Sequence, residues 1–149
     1  MWFSLSHADG VSICAVTGAG PEIGIDLERI ASGRNSLEIA EQFFSDAEST
    51  ALRNLHPAQQ TEAFVRLWAL KESYVKAREI GLADGLSGTT FDLSPPDEIG
   101  VIFAHGLRER AQDWHFRLLR LGMDRILAIA VRQPSVATLL LRTQNWHGL

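Results

Sequence analysis

Hydrophobic and polar positions alternate over residues 2–6 and again over residues 11–16, on either side of Asp9-Gly10. That dipeptide suits a two-residue turn with positive φ at both positions, so the spacing predicts a β-hairpin. Gly18, Gly20 and Pro21 mark a second turn. Residues 22–28 then read as a strand with Ile23, Ile25 and Leu27 on one face and Gly24, Asp26 and Glu28 on the other. Here the period changes. Leu37, Ala40, Phe43 and Phe44 recur at helical spacing behind Asn35-Ser36, and Ser45-Asp46-Ala47-Glu48 has the spacing of a capping box that opens a second short helix through Leu55. Pro57 fits the first turn of a long helix predicted to reach Ile80, with Gly81 as its terminator. Its apolar arc holds Phe64, Leu67, Trp68, Leu70, Tyr74 and Val75. Further strands are predicted over residues 90–93, 100–104, 114–121, 125–131 and 137–141, with turns at Pro95-Pro96, His105-Gly106, 122–124 and Gln133-Pro134. The order implies an α+β fold, an antiparallel sheet with the long helix packed on one face.

Composition narrows the class. With 149 residues, 46% hydrophobic content and a net charge of -4, the chain is a single globular domain rather than a disordered segment. Every apolar run is shorter than the ~18 residues of a membrane span, and no basic stretch precedes an apolar one at the start. The single cysteine, Cys14, makes neither an internal disulfide nor a zinc site. These features are read as those of a cytoplasmic protein with no membrane partner. A pI near 5.7 argues against nucleic acid, which demands a basic field. Only Lys71 and Lys76 are lysines, against twelve arginines, and both fall on the long helix.

The candidate chemistry lies in two places. Asp26 and Glu28, two apart on a strand, share a face with Cα atoms about 6.5 Å apart, and they repel unless a cation lies between them. On the helix, Glu72 borders the apolar arc with Lys76 one turn on; such a pair ordinarily adds only about 0.2–0.5 kcal/mol of helix support. Lys71 falls within the apolar arc, where an ammonium needs a carboxylate, an anionic ligand or a route to water. Taken singly, these features also fit a solvated strand edge and a plain helix pair.

Taken in order, Ile23-Gly24-Ile25-Asp26-Leu27-Glu28 and Trp68-Ala69-Leu70-Lys71-Glu72-Ser73-Tyr74-Val75-Lys76 resemble the paired signatures of the 4'-phosphopantetheinyl transferases, G-[IV]-D and W-x-x-K-E-[SA]-x-x-K. Phe43-Phe44-Ser45-x-x-Glu48 and Ser6-His7 look like the same family. The Asp-x-Glu, Trp68 and Ser73 resemble the Sfp type more than the small carrier-protein-synthase type. The resemblance extends from about Phe3 to Leu93, and more loosely through the last strands.

The resemblance implies transfer of phosphopantetheine from coenzyme A to a serine hydroxyl of an apo carrier protein, with release of 3',5'-ADP. Asp26, Glu28 and Glu72 would hold Mg²⁺, which favours a few carboxylates with phosphate oxygens and water. Glu72 would also be the base for the carrier serine, and Lys76 would meet the pyrophosphate and steady the leaving oxygen. Ser6 and His7 match coenzyme contacts of the family, and Lys71 joins Lys76 as an expected coenzyme contact. Glu48 is kept out of the metal shell, because the capping box explains it. His56, His105, His115 and His147 have no ligand spacing.

Two departures accompany the match. Glu79-Ile80-Gly81-Leu82 keeps the family's Gly-Leu and lacks its preceding glycine. Sfp-type enzymes have two similar lobes, whereas this chain reads as a remnant of the first (1–21) followed by the metal-binding lobe (22–149). Unless the chain is a fragment, a homo-oligomer is therefore expected, its neighbour covering the helix face at Phe64 and Trp68 or lying beside the N-terminal hairpin. The alternative is a non-catalytic module that binds coenzyme A or a carrier protein.

Overall fold

The computed structural model describes residues 1–18, 21–31, 35–79, 86–94, 98–134 and 140–145. Strands β1 (Trp2–Ala8) and β2 (Val11–Thr17) form the predicted hairpin, with Asp9 at φ 46° and Gly10 at φ 77° in its turn. β3 (Glu22–Arg29) follows, then helices α1 (Ser36–Phe43), α2 (Asp46–Asn54) and α3 (Pro57–Arg78). A short pair, β4 (Thr89–Asp92) and β5 (Gly100–Phe103), leads to the hairpin of β6 (Trp114–Leu121) and β7 (Arg125–Arg132). The strands sort into three antiparallel groups rather than one sheet: β1-β2, β3-β7-β6 and β4-β5.

Both faces of the central sheet are covered. Gly24, Ala128 and Ala130 make one face low enough for α3 to lie close, and Phe64, Leu70, Tyr74, Trp114 and Phe116 fill the core around it. Ile23, Ile25, Leu27, Leu127 and Ile129 project from the other face against Val11, Ile13 and Ala15 of the hairpin. Each fully buried isoleucine or leucine contributes about 1.5–3 kcal/mol. β3 is an edge strand, and its outward N–H groups find acceptors in side chains: Ile25 N donates to Ser4 Oγ at 3.0 Å and Leu27 N to Ser6 Oγ at 2.9 Å.

The helix ends follow local chemistry. Ser45 and Glu48 form the capping box of α2, and Pro57 opens α3. α3 stops at Arg78 with Glu79 left-handed at φ 51°, earlier than the expected end at Ile80; Ile80, the terminator Gly81 and the Pro95-Pro96 turn lie outside the described residues. So do residues 137–139 of the last expected strand, while Leu140 and Leu141 are not in a strand. The α3 face at Phe64 and Trp68, expected to need a neighbour, is covered by the chain itself. Phe44 stacks on Phe64 at 5.3 Å, and Phe43 meets Trp68 edge-on at 6.3 Å.

Candidate active site

Gly24 sets how closely β3 and α3 approach. A Cβ there would lie 2.0 Å from the Ser73 carbonyl oxygen and 2.4 Å from the Ala77 nitrogen, so helix backbone rests directly on strand backbone. From this contact Asp26 and Glu28 continue along β3, and Glu72 and Lys76 along α3. Asp26 is buried, and its Oδ1 accepts from Lys76 Nζ at 2.7 Å and from Ser6 Oγ at 3.2 Å.

The Ser6 hydroxyl has one proton and two lone pairs. It donates to Asp26, accepts from Leu27 N at 2.9 Å and lies 3.4 Å from the donating Lys76 Nζ. Its capacity is used inside the protein, so Ser6 orders Asp26 and Lys76. His7, the next residue, is exposed and points to the opposite face of β1.

Glu72 links the two elements electrostatically. Burial raises its pKa above the usual carboxylate value; the charges of Asp26 and Glu28 push the same way, and Lys76 opposes them. Three carboxylates therefore share one region, although among the described residues no three metal-ligating side chains form a ready-made cage. Mg²⁺ is commonly held by one or two carboxylates with substrate phosphates and water, and this all-oxygen donor set suits it.

Lys71, expected to meet the coenzyme, is fully enclosed. Adjacent helical positions diverge by about 100°, so Lys71 leaves α3 on the side away from Glu72. Its side chain is 0% exposed and donates to Leu86 O at 2.6 Å, to the Thr89 carbonyl and to Glu48 Oε2 at 2.9 Å, with its ammonium 5.1 Å from the Phe44 ring centroid. Burial pushes the ammonium pKa down, and the Glu48 carboxylate pulls it back up. Among the described residues, its ammonium is enclosed by protein oxygens. Glu48 also accepts from Phe91 N at 2.8 Å, so the pair ties α2, α3 and β4 together. Losing one member of such a buried pair costs about 3–5 kcal/mol.

The far end of α3 is pinned by residues that sequence reasoning missed. Arg78 lies 3.2 Å from Glu22 and 2.7 Å from Glu109, while Arg132 lies 3.1 Å and 3.4 Å from the same two carboxylates. Nearby, burial and the Glu109 charge push the Tyr74 phenol up to about 12. The four charged residues come from distant parts of the chain. Only the antiparallel register, which sets Glu22 opposite Arg132, carries a signal for them. An open groove of about 520 Å³ runs between residues 1–5 and the side of α3 that bears Lys76 and Glu79.

The strand and helix bring acidic residues and a lysine to one seam of an α+β domain. Residues 22–131 match the family model of the 4'-phosphopantetheinyl transferase superfamily, and the chain belongs to that superfamily. It is 35% identical over 106 residues to a 4'-phosphopantetheinyl transferase of Bacillus subtilis, covering 71% of this chain and 46% of that one. It is 31% identical over 145 residues to the human L-aminoadipate-semialdehyde dehydrogenase-phosphopantetheinyl transferase, covering 89% of this chain and 46% of the relative. The chain thus spans about half the length of these curated relatives. The fold is shared with a holo-(acyl-carrier-protein) synthase of Bacillus anthracis solved with CoA (3',5'-ADP): the TM-score is 0.58 at 19% identity, over 76% of this chain and 96% of that one.

Proposed function

We propose that this chain transfers 4'-phosphopantetheine from coenzyme A to a serine hydroxyl of an apo carrier protein with the help of Mg²⁺, releasing 3',5'-ADP. The observation that carries the reading is the meeting of Asp26, Glu28, Glu72 and Lys76 at the β3–α3 seam of a chain in this superfamily. A divalent cation held there by Asp26, Glu28 and Glu72 would neutralise charge on the transferring phosphate. Glu72, with its raised proton affinity, takes the serine proton as the serine oxygen bonds to phosphorus. The bond from phosphorus to the departing 3',5'-ADP oxygen breaks, and Lys76 donates a hydrogen bond to that oxygen. Lys76 lies on the groove beside β1, which gives the coenzyme an approach.

A second reading is a non-catalytic module that binds coenzyme A or a carrier. Under either reading we assign residues 1–21 to a remnant of the preceding lobe and residues 22–149 to the metal-binding lobe; the family match beginning at residue 22 supports that boundary. Exposed apolar residues on the hairpin, with Phe3 at 66%, support association with a second copy. No helix among the described residues is long and apolar enough to cross a membrane, and we place the protein in the cytoplasm, where carrier and coenzyme would meet it. The test is to incubate the chain with coenzyme A, Mg²⁺ and an apo carrier and weigh the carrier. A gain of one phosphopantetheine, absent when Mg²⁺ is chelated, is expected; coenzyme binding without that gain leaves the second reading.

A further inference from the structure

The chain's two lysines are held in opposite ways. Lys71 is fully enclosed by oxygen partners, whereas the Lys76 side chain is 33% exposed at the edge of an open groove. Lys76 Nζ nonetheless reaches inward to the buried Asp26, 2.7 Å from Oδ1. The same oxygen receives Ser6 Oγ, and Ser6 is anchored by Leu27 N. A cation approaching this oxygen meets an ammonium already in contact with it. An ammonium and a divalent cation about 4 Å apart repel by about 8 kcal/mol at an effective dielectric near 20, so both cannot hold Asp26 comfortably. A cation taking this oxygen would displace the ammonium that already holds it. Lys76 is the member with somewhere to go: a flexible four-carbon stem beside the groove, with Glu79 on the groove wall.

We propose that Lys76 is the resident counter-ion of the acidic seam, holding Asp26 until a divalent cation is taken up and then freed to meet the phosphate ligand. The proposal rests on the reading of the seam as a divalent-cation site. It gives binding an order, with the cation first and the phosphate ligand second, since only then does Lys76 present an unpaired ammonium. Coupling is reciprocal: a phosphate that captures Lys76 must also strengthen cation binding at Asp26, typically about 5–150-fold for coupled sites.

The lysine count makes the chain its own probe. Acetylation by a sulfosuccinimidyl ester, followed by peptide mass spectrometry, reads Lys76 with Lys71 as an inert internal control. Labelling of Lys76 is expected to rise when Mg²⁺ is added; unchanged or reduced labelling overturns the proposal. Independently, Lys76→Met should bind Mn²⁺ at least about fivefold more tightly than the natural chain, measured as loss of the free Mn²⁺ signal by electron paramagnetic resonance. Lys76→Arg should return affinity toward the natural value, and Asp26→Asn should abolish binding. Mn²⁺ binding by the natural chain with no gain in Lys76→Met overturns the counter-ion role alone. Absence of Mn²⁺ binding in every variant overturns the cation site with it.

Discussion

Glu72 carries a charge that its surroundings resist. Burial and the carboxylates of Asp26 and Glu28 raise its pKa in the folded chain. A raised folded value means that the native state binds the proton more tightly than the unfolded state. The associated stability is therefore complete below the unfolded carboxylate value, about 4.3, and is lost as pH rises through the folded value. Without metal, Glu72→Gln should raise the melting temperature near neutral pH, and the gain should vanish once the pH falls below about 4. Calorimetry across that range checks it, and an equal gain at both ends would detach the effect from ionisation. Saturating Mg²⁺ should shrink the neutral-pH gain, because the cation relieves the same repulsion. Stability given up at a working site is the usual cost of function.

At the scale of elements, the seam depends on the close contact at Gly24. A methyl group there meets the backbone of Ser73 and Ala77, which cannot yield as a flexible side chain would. Gly24→Ala should therefore destabilise the chain by at least about 1–3 kcal/mol, the usual cost of overpacking. Displacing α3 from β3 should also separate Glu72 and Lys76 from Asp26 and weaken Mn²⁺ binding. The urea midpoint and a Mn²⁺ titration on the same variant test both effects, and natural values for both would show that helix and strand are not locked at this point. A buried pair, Lys71 with Glu48, and a half-buried cluster, Arg78 with Glu22 and Glu109, hold α3 from its other sides. Together they hold one helix against three neighbours, which keeps Glu72 and Lys76 in place.

The whole molecule has an unequal surface. Phe3, Leu5 and Val16 are exposed on the outer face of the hairpin, while Ser4 and Ser6 are buried on its inner face. Soluble chains rarely leave apolar patches larger than a few hundred Å² uncovered. Sedimentation velocity should show concentration-dependent association, and Phe3→Ser with Leu5→Ser should reduce it. Because these side chains face outward, the double variant should alter stability by less than about 0.5 kcal/mol per site. A monomer at all concentrations, or a large drop in melting temperature, would count against the hairpin as an interface.

Sequence alone determined what short-range physics controls. Period-two alternation and Asp9-Gly10 specify a hairpin, Ser45 and Glu48 specify a helix start, and the G-I-D and W-x-x-K-E-S-x-x-K signatures identify the seam. The separation of the central strands from the hairpin and the β4–β5 pair was not legible, because alternation is the same for any partner. Period two also separates two faces without saying which is inside. In β1 the apolar face lies outward, because the serine hydroxyls supply acceptors for the N–H groups on the open edge of β3. The same limit applies to charge. Lys71 and Glu72 are neighbours in sequence, and only the packing of α3 between β4 and β3 sends one into a closed ion pair and the other to the acidic seam. Tertiary structure decided those roles, since a helix fixes the angle between side chains while its neighbours fix what each one meets.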